Sequence, residues 1–101
     1  MSLDESQFAT LADPLLERLS IVIEDGRDDA DVDLESGVLT VTLGDESTWV
    51  INKQSATREI WVASPKSGAH HFRWDGTAWI STRDPARALL PLLSGEFGLS
   101  L

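Results

Sequence analysis

The chain contains no cysteine, which excludes disulfides, a thiolate zinc cage and a cysteine nucleophile. That composition fits a reducing compartment. Histidine is almost as scarce, with only His70 and His71 present. Adjacent residues of a strand point to opposite faces, so this pair does not converge on one site. There is no glycine-rich phosphate loop and no helical His-Glu pattern. Without an acid–base constellation, no intrinsic catalysis is expected. No apolar run approaches the roughly 18 residues of a membrane span, and no internal repeat or low-complexity tract is evident. The opening MSLDESQF is acidic from the start, unlike a secretory signal or an arginine-rich transit peptide; a complete gene product with this opening is expected to stay where it is made, and a processed fragment would show no trace of its leader.

Basic residues are also thin on the ground, and unevenly so. Residues 1–47 hold 13 acids against Arg18 and Arg27, a net of −11, whereas residues 48–101 hold four acids against six bases, a net of +2, giving −9 for the chain. An acidic half repels phosphate backbones, so no nucleic-acid partner is expected; cations and basic protein patches are the natural counterparts. A length of 101 residues sets the scale at one domain, 1–101, with a single core.

Apolar periodicity predicts a helix over residues 6–25, with Phe8, Leu11, Ala12, Leu15, Leu19, Val22 and Ile23 on one side and Asp13, Glu17 and Glu24 on the other. Pro14 either bends this helix or divides it, with Asp13 as a cap. The stripe keeps its phase through the proline, which favours one continuous helix ended by Gly26. Short strands with period-two alternation follow: one entered from residue 28 with Val32 and Leu34 inward, then 38–43, 48–54, 59–64, 70–74 and 79–82. Ser36-Gly37 and Asp75-Gly76 are turn signals. Asp84-Pro85 reads as the cap and first position of a second helix over 85–94, with Gly95 as its stop. Tight connections imply antiparallel neighbours. The fold class is therefore α+β: a two-layer sandwich in which an antiparallel β-sheet is covered on one face by the N-terminal and C-terminal helices.

Residues 49–64, WVINKQSATREIWVAS, put an aromatic where alternation calls for water. Trp49, Ile51 and Lys53 share one face, and Val50, Asn52 and Gln54 the other. Ile60 and Val62 form the inward set of the next strand, which leaves Trp61 outside with Glu59 and Ala63. An exposed indole beside amide groups suits a docking surface. The plainer reading is a core tryptophan reached by a one-residue shift of register, but that shift would turn Ile60 and Val62 out to water. Trp49, Phe72 and Trp74 are read as core or core-edge aromatics. The second chemical signal is the acid set Glu24, Asp25, Asp28, Asp29, Asp31, Asp33 and Glu35, a ridge of hard oxygen ligands without a closed cage, suited to weak, exchangeable cation binding. Its plainer reading is a solvated acidic face that keeps the chain soluble.

WVINKQ, EIWVASPKSG and HHFRW together resemble the frataxin family, and the likeness runs from LADPLLERL through SGVLTV to the C-terminal helix. The resemblance implies a frataxin-like fold and an iron-binding accessory protein of iron–sulfur cluster assembly, an iron chaperone or desulfurase regulator. Its partners would be a cysteine desulfurase and the scaffold protein, met through Asn52, Lys53, Gln54 and Trp61, with His71 standing where many relatives carry arginine and Arg73 two residues on. Iron (Fe2+/Fe3+) would sit on the acidic edge, where Glu24, Asp25, Asp29, Asp31 and Asp33 match commonly acidic positions; Ser20, Ile21 and Arg27 depart from the acidity of some relatives. The family also implies a monomer, with weak iron oxidation on iron-driven oligomerisation as an alternative. By the same likeness it would work in the bacterial cytoplasm, or in the mitochondrial matrix if it is a processed eukaryotic fragment. Docking through the Trp61 face without metal remains the rival reading.

Overall fold

The computed structural model describes residues 3–101. Helix α1 (Glu5–Gly26) is followed by strands β1 (Asp31–Glu35), β2 (Val38–Thr42), β3 (Thr48–Gln54), β4 (Glu59–Ser64), β5 (Gly68–Trp74) and β6 (Trp79–Ser81), and then by helix α2 (Leu89–Phe97). The six strands form one sheet in chain order, every neighbour antiparallel. Short loops allow no other arrangement. The β1–β2 loop is only Ser36-Gly37, and both residues have positive φ, 52° and 77°, the mirror-image turn whose twist matches that of the flanking strands. Among the described residues, no helix is long and apolar enough to cross a membrane.

α1 runs unbroken through Pro14, as the constant phase of its stripe predicts. It starts earlier than expected because Asp4 accepts from the Gln7 amide while Gln7 reaches back to the Asp4 amide, a reciprocal cap. Its buried face is Phe8, Ala12, Leu16, Leu19 and Ile23. Leu16 is therefore in the core, a position the sequence reading gave to Leu15; Leu11 and Leu15 pack at the margin.

The second helix is displaced from the expected 85–94. Asp84 does accept from the Ala86 amide, at 3.0 Å, but it closes only a turn. The Arg87 carbonyl then accepts from Ser81 N at 2.9 Å, and Ala88 bridges to Ile80. Residues 87 and 88 are thus held extended along β6, and helix formation waits until Leu89. Pro91 becomes the third helical residue, where a missing N–H leaves no intrahelical bond unmade. Gly95 lies inside the helix, and the stop is Gly98, left-handed at φ 70° with its amide on Ser94 O.

One face of the sheet is sealed by the two helices. Leu39, Val41, Trp49, Ile51, Ile60, Val62 and Phe72 are fully buried beneath them. Trp49 packs on Phe97 of α2 with ring centroids 4.5 Å apart. Phe8 of α1 meets Trp79 edge to face at 5.9 Å. α1 lies over β1 and β2, and α2 against β6, so the opposite sheet face carries no helix.

Candidate docking face and acidic edge

Strand register assembles the uncovered face row by row. Asn52 and His71 flank Trp61 as its direct partners on β3 and β5, and Gln54, Glu59 and Arg73 make the next row. The Trp61 indole and the His71 imidazole are stacked, centroids 4.2 Å apart and planes 9° from parallel. The indole Nε1–H donates to Glu59 Oε1 at 2.8 Å. Glu59 Oε2 accepts from Arg73 Nη2 at 2.6 Å, and His71 Nδ1 stands 3.9 Å from Oε1. Trp61 thus lies on the open face, as the alternation predicts, but it is half-buried rather than bare. His71 shields one side and Glu59 fixes its edge. A ring whose orientation is already set loses little freedom on contact with a partner.

Glu59 is the residue the sequence reading passed over. It is only 6% exposed although it sits on the outer face, because Trp61 and Arg73 close over it. Burial pushes its carboxyl up, but the hydrogen bonds from Trp61 and Arg73 and the charges of Arg73 and His71 outweigh that and hold it below the usual range. The signal was present: Glu59 is two residues from Trp61 on one face, and Arg73 is its cross-strand neighbour.

Asn52 and Gln54 have no side-chain hydrogen bond within the described residues, so their amides are free to meet a partner. Lys53 does not join them. Its Nζ pairs with Asp13 Oδ1 of α1 at 2.5 Å, on the helix side of the sheet. Of the six expected docking residues, the fold therefore brings together Asn52, Gln54, Trp61, His71 and Arg73. His70 and His71 point to opposite faces, as expected; His70 is 6% exposed on the covered side.

The acids line the far edge. Glu24 and Asp25 end α1, Asp28 and Asp29 lie in the link, and Asp31, Asp33 and Glu35 alternate along the edge strand β1, all exposed. Val32 and Leu34 between them pack on the core. Asp29 is engaged: Arg27 grips it with Nε and Nη2 at 2.9 and 3.1 Å, and Gly44 N reaches it at 3.3 Å. The bond from Arg27, followed by that from Gly44, holds the Asp29 carboxyl below its usual range. Arg27 also donates to Phe97 O at 2.9 Å, so this pair fastens the end of α1 to the end of α2. Among the described residues, no three Asp, Glu or His side chains converge on a point where a metal would be held. The ridge is a row of single carboxylates.

A frataxin-like domain model matches residues 1–101. Over 90 residues the chain is 41% identical to the iron–sulfur cluster assembly protein CyaY of Dechloromonas aromatica, covering 86% of this chain and 83% of that protein. Over 103 residues it is 38% identical to the mitochondrial frataxin homolog of Schizosaccharomyces pombe, covering 95% of this chain and 65% of that one. Among solved structures, frataxin from Psychromonas ingrahamii matches with a TM-score of 0.82 at 28% identity, over 93% of this chain and 88% of that one. Trimeric frataxin of Saccharomyces cerevisiae, complexed with ferrous iron, matches with a TM-score of 0.74 at 33% identity, over 97% and 86%. With the family match running over all 101 residues and the two helices lying on an antiparallel sheet as in these structures, the chain belongs to the frataxin-like family.

Proposed function

We propose that this protein is an accessory factor of iron–sulfur cluster assembly that docks through the sheet face around Trp61 on the complex of scaffold protein and cysteine desulfurase, regulating sulfur transfer or delivering iron. The observation that carries the reading is the stacked indole at the centre of a face whose neighbouring amides, Asn52 and Gln54, are unspent. An oriented tryptophan ringed by free hydrogen-bonding groups is the anatomy of an interface hot spot. The names of the relatives support the assembly role. Iron is cargo in this reading. The exposed carboxylates of Glu24, Asp25, Asp28, Asp31, Asp33 and Glu35 would each share a hydrated ion with a neighbour, weakly and reversibly; Asp29, already gripped by Arg27, contributes charge rather than a ligand. The ferrous complex of the yeast relative supports this part.

A second reading, docking without metal, is favoured by the absence of a convergent ligand set among the described residues. Two measurements separate the readings. Trp61→Ala is expected to abolish the effect of this protein on the desulfurase rate while its thermal unfolding stays cooperative; an unchanged effect rejects the docking face. Calorimetric titration with Fe2+ is expected to show weak binding that the combined change Asp31→Asn, Asp33→Asn, Glu35→Gln removes. Iron affinity that survives this change moves the cargo site off β1, and no affinity in the parent chain leaves the metal-free reading.

A further inference from the structure

At the edge of the sheet opposite the acids lies a polar cleft that shares only His71 with the docking face. It opens between the β4–β5 turn and the segment joining β6 to α2, about 170 Å³ in volume, and its polar lining is Ser67, His70, His71, Ser81, Arg83 and Arg87, with no carboxylate. Neither arginine forms an ion pair within the described residues, in a chain with 17 acids against eight lysines and arginines in all. Two uncompensated guanidiniums lining one cleft call for an anion between them.

The surroundings position Arg87 and leave the exposed Arg83 side chain unengaged. The Arg87 amide donates to Asp84 O and its carbonyl accepts from Ser81 N, each at 2.9 Å. Its Nη1 lies 3.5 Å from Nδ1 of the buried His70. His70 Nε2 is 2.8 Å from Ser67 Oγ, and Ser67 donates to Glu96 Oε2 at 2.6 Å. That ordering makes Nε2 the protonated nitrogen and leaves the Nδ1 lone pair facing Arg87. Ser81 supplies the independent sign of a ligand. It is 9% exposed, and its Oγ accepts from the amides of both Arg83 and Asp84 at 3.2 Å. Both lone pairs are spent, so its hydroxyl hydrogen needs an acceptor and has none within the described residues.

We propose that this cleft is a subsite for a phosphoryl group, held by the forks of Arg83 and Arg87 and by the Ser81 hydroxyl, with His70 positioning Arg87. A tetrahedral oxyanion offers separate oxygens to two forks and a hydroxyl, which a planar carboxylate does not. The volume equals about five or six waters at ~30 Å³ each and falls below the ~300 Å³ of ordinary small-molecule pockets. It therefore admits one phosphoryl group, not a nucleotide. Glu96, which accepts from Ser67 of the lining, is also engaged by Ser64 and Trp49, and Glu59, 3.9 Å from His71, is paired with Arg73.

The test is a ¹⁵N-resolved titration of the full chain with inorganic phosphate and, in parallel, with O-phosphoserine, against sodium chloride at matched ionic strength. Saturable shifts at Ser81, Arg83 and Arg87 are expected with a phosphoryl probe and not with chloride. Arg83→Gln and Arg87→Gln are each expected to weaken binding by about tenfold or more, and Arg18→Gln, an arginine elsewhere on the surface, to leave it unchanged. Binding of both probes assigns a free phosphate; binding of phosphoserine alone assigns a monoester on a larger molecule. If phosphate does no more than chloride and phosphoserine is equally silent, or if the arginine variants bind as the parent does, the subsite does not exist. Should Arg87→Gln disturb the fold, Arg83→Gln decides alone, because its exposed side chain has no hydrogen bond to another described residue.

Discussion

Two tryptophans, one on each face of the sheet, are held in the same way and serve opposite ends. Trp49 on the covered face and Trp61 on the open face each donate the indole N–H to a glutamate at 2.8 Å. Around Trp49 everything else is protein: the ring is fully buried, and Glu96 receives only neutral donors, Trp49, Ser64 and Ser67. Around Trp61 the glutamate is matched by Arg73, whose side chain is 65% exposed, and one flank of the ring is left to solvent. A single motif fastens a helix on one side and presents an aromatic on the other. What separates them is whether a helix covers the result.

The largest contrast is expected from removing the rings. Trp49→Ala should cost about 3–5 kcal/mol, the usual price of emptying a core site of this size, a large share of the ~5–15 kcal/mol available to a domain. Trp61→Ala should cost about 1 kcal/mol or less, since water can take the place of the lost contacts. Urea midpoints of the two variants check this. A costly Trp61→Ala would make that ring a structural element and weaken the docking reading.

Next come the glutamates. Glu96→Ala leaves the Trp49 N–H and Ser64 hydroxyl without their acceptor in the interior, at about 2–4 kcal/mol. Glu59→Ala leaves Arg73 and the Trp61 N–H within reach of water, at about 1 kcal/mol or less. Both carboxyls lie below their usual range despite burial, through the hydrogen bonds they accept and, for Glu59, the charge of Arg73. A folded pKa below the unfolded value of about 4.3 contributes stability that is complete above that value and is lost as pH falls through the folded one. Stability measured from pH 6 to pH 2 should therefore fall less steeply in Glu96→Gln and in Glu59→Gln than in the parent. An equally steep fall would mean that neither carboxyl is depressed.

The sheet and its uncovered side could be read from sequence because alternation is a local property. Ile60 and Val62 determine where Trp61 points regardless of the rest of the fold. The start of α2 could not be read in this way. Asp84-Pro85 carries a proper helix-start signal, but Ser81 and Ile80 hold residues 87 and 88 as a strand extension, and that competition is tertiary. The acids were legible as a set and not as individuals. Nothing near Asp29 in sequence reveals that Arg27, while gripping it, also reaches the Phe97 carbonyl 70 residues on. Lys53 was placed with the docking residues by resemblance, although its own alternation with Trp49 and Ile51 assigned it to the covered side, where it meets Asp13.

The smallest expected effect is the most selective. His71→Ala removes the ring stacked on Trp61 and leaves Trp49, Glu96 and the core untouched. The cost in stability should be about 0.5–1 kcal/mol, the scale of one aromatic pair. The Trp61 indole N–H resonance, identified by its loss in Trp61→Phe, should shift and exchange faster with solvent. The Trp49 resonance should keep both its position and its slow exchange, because its release requires opening the core. Equal acceleration of both signals would mean that the two faces open together, and then the outer cluster around Glu59 would be part of the fold's cooperative unit and not a surface held ready for another protein.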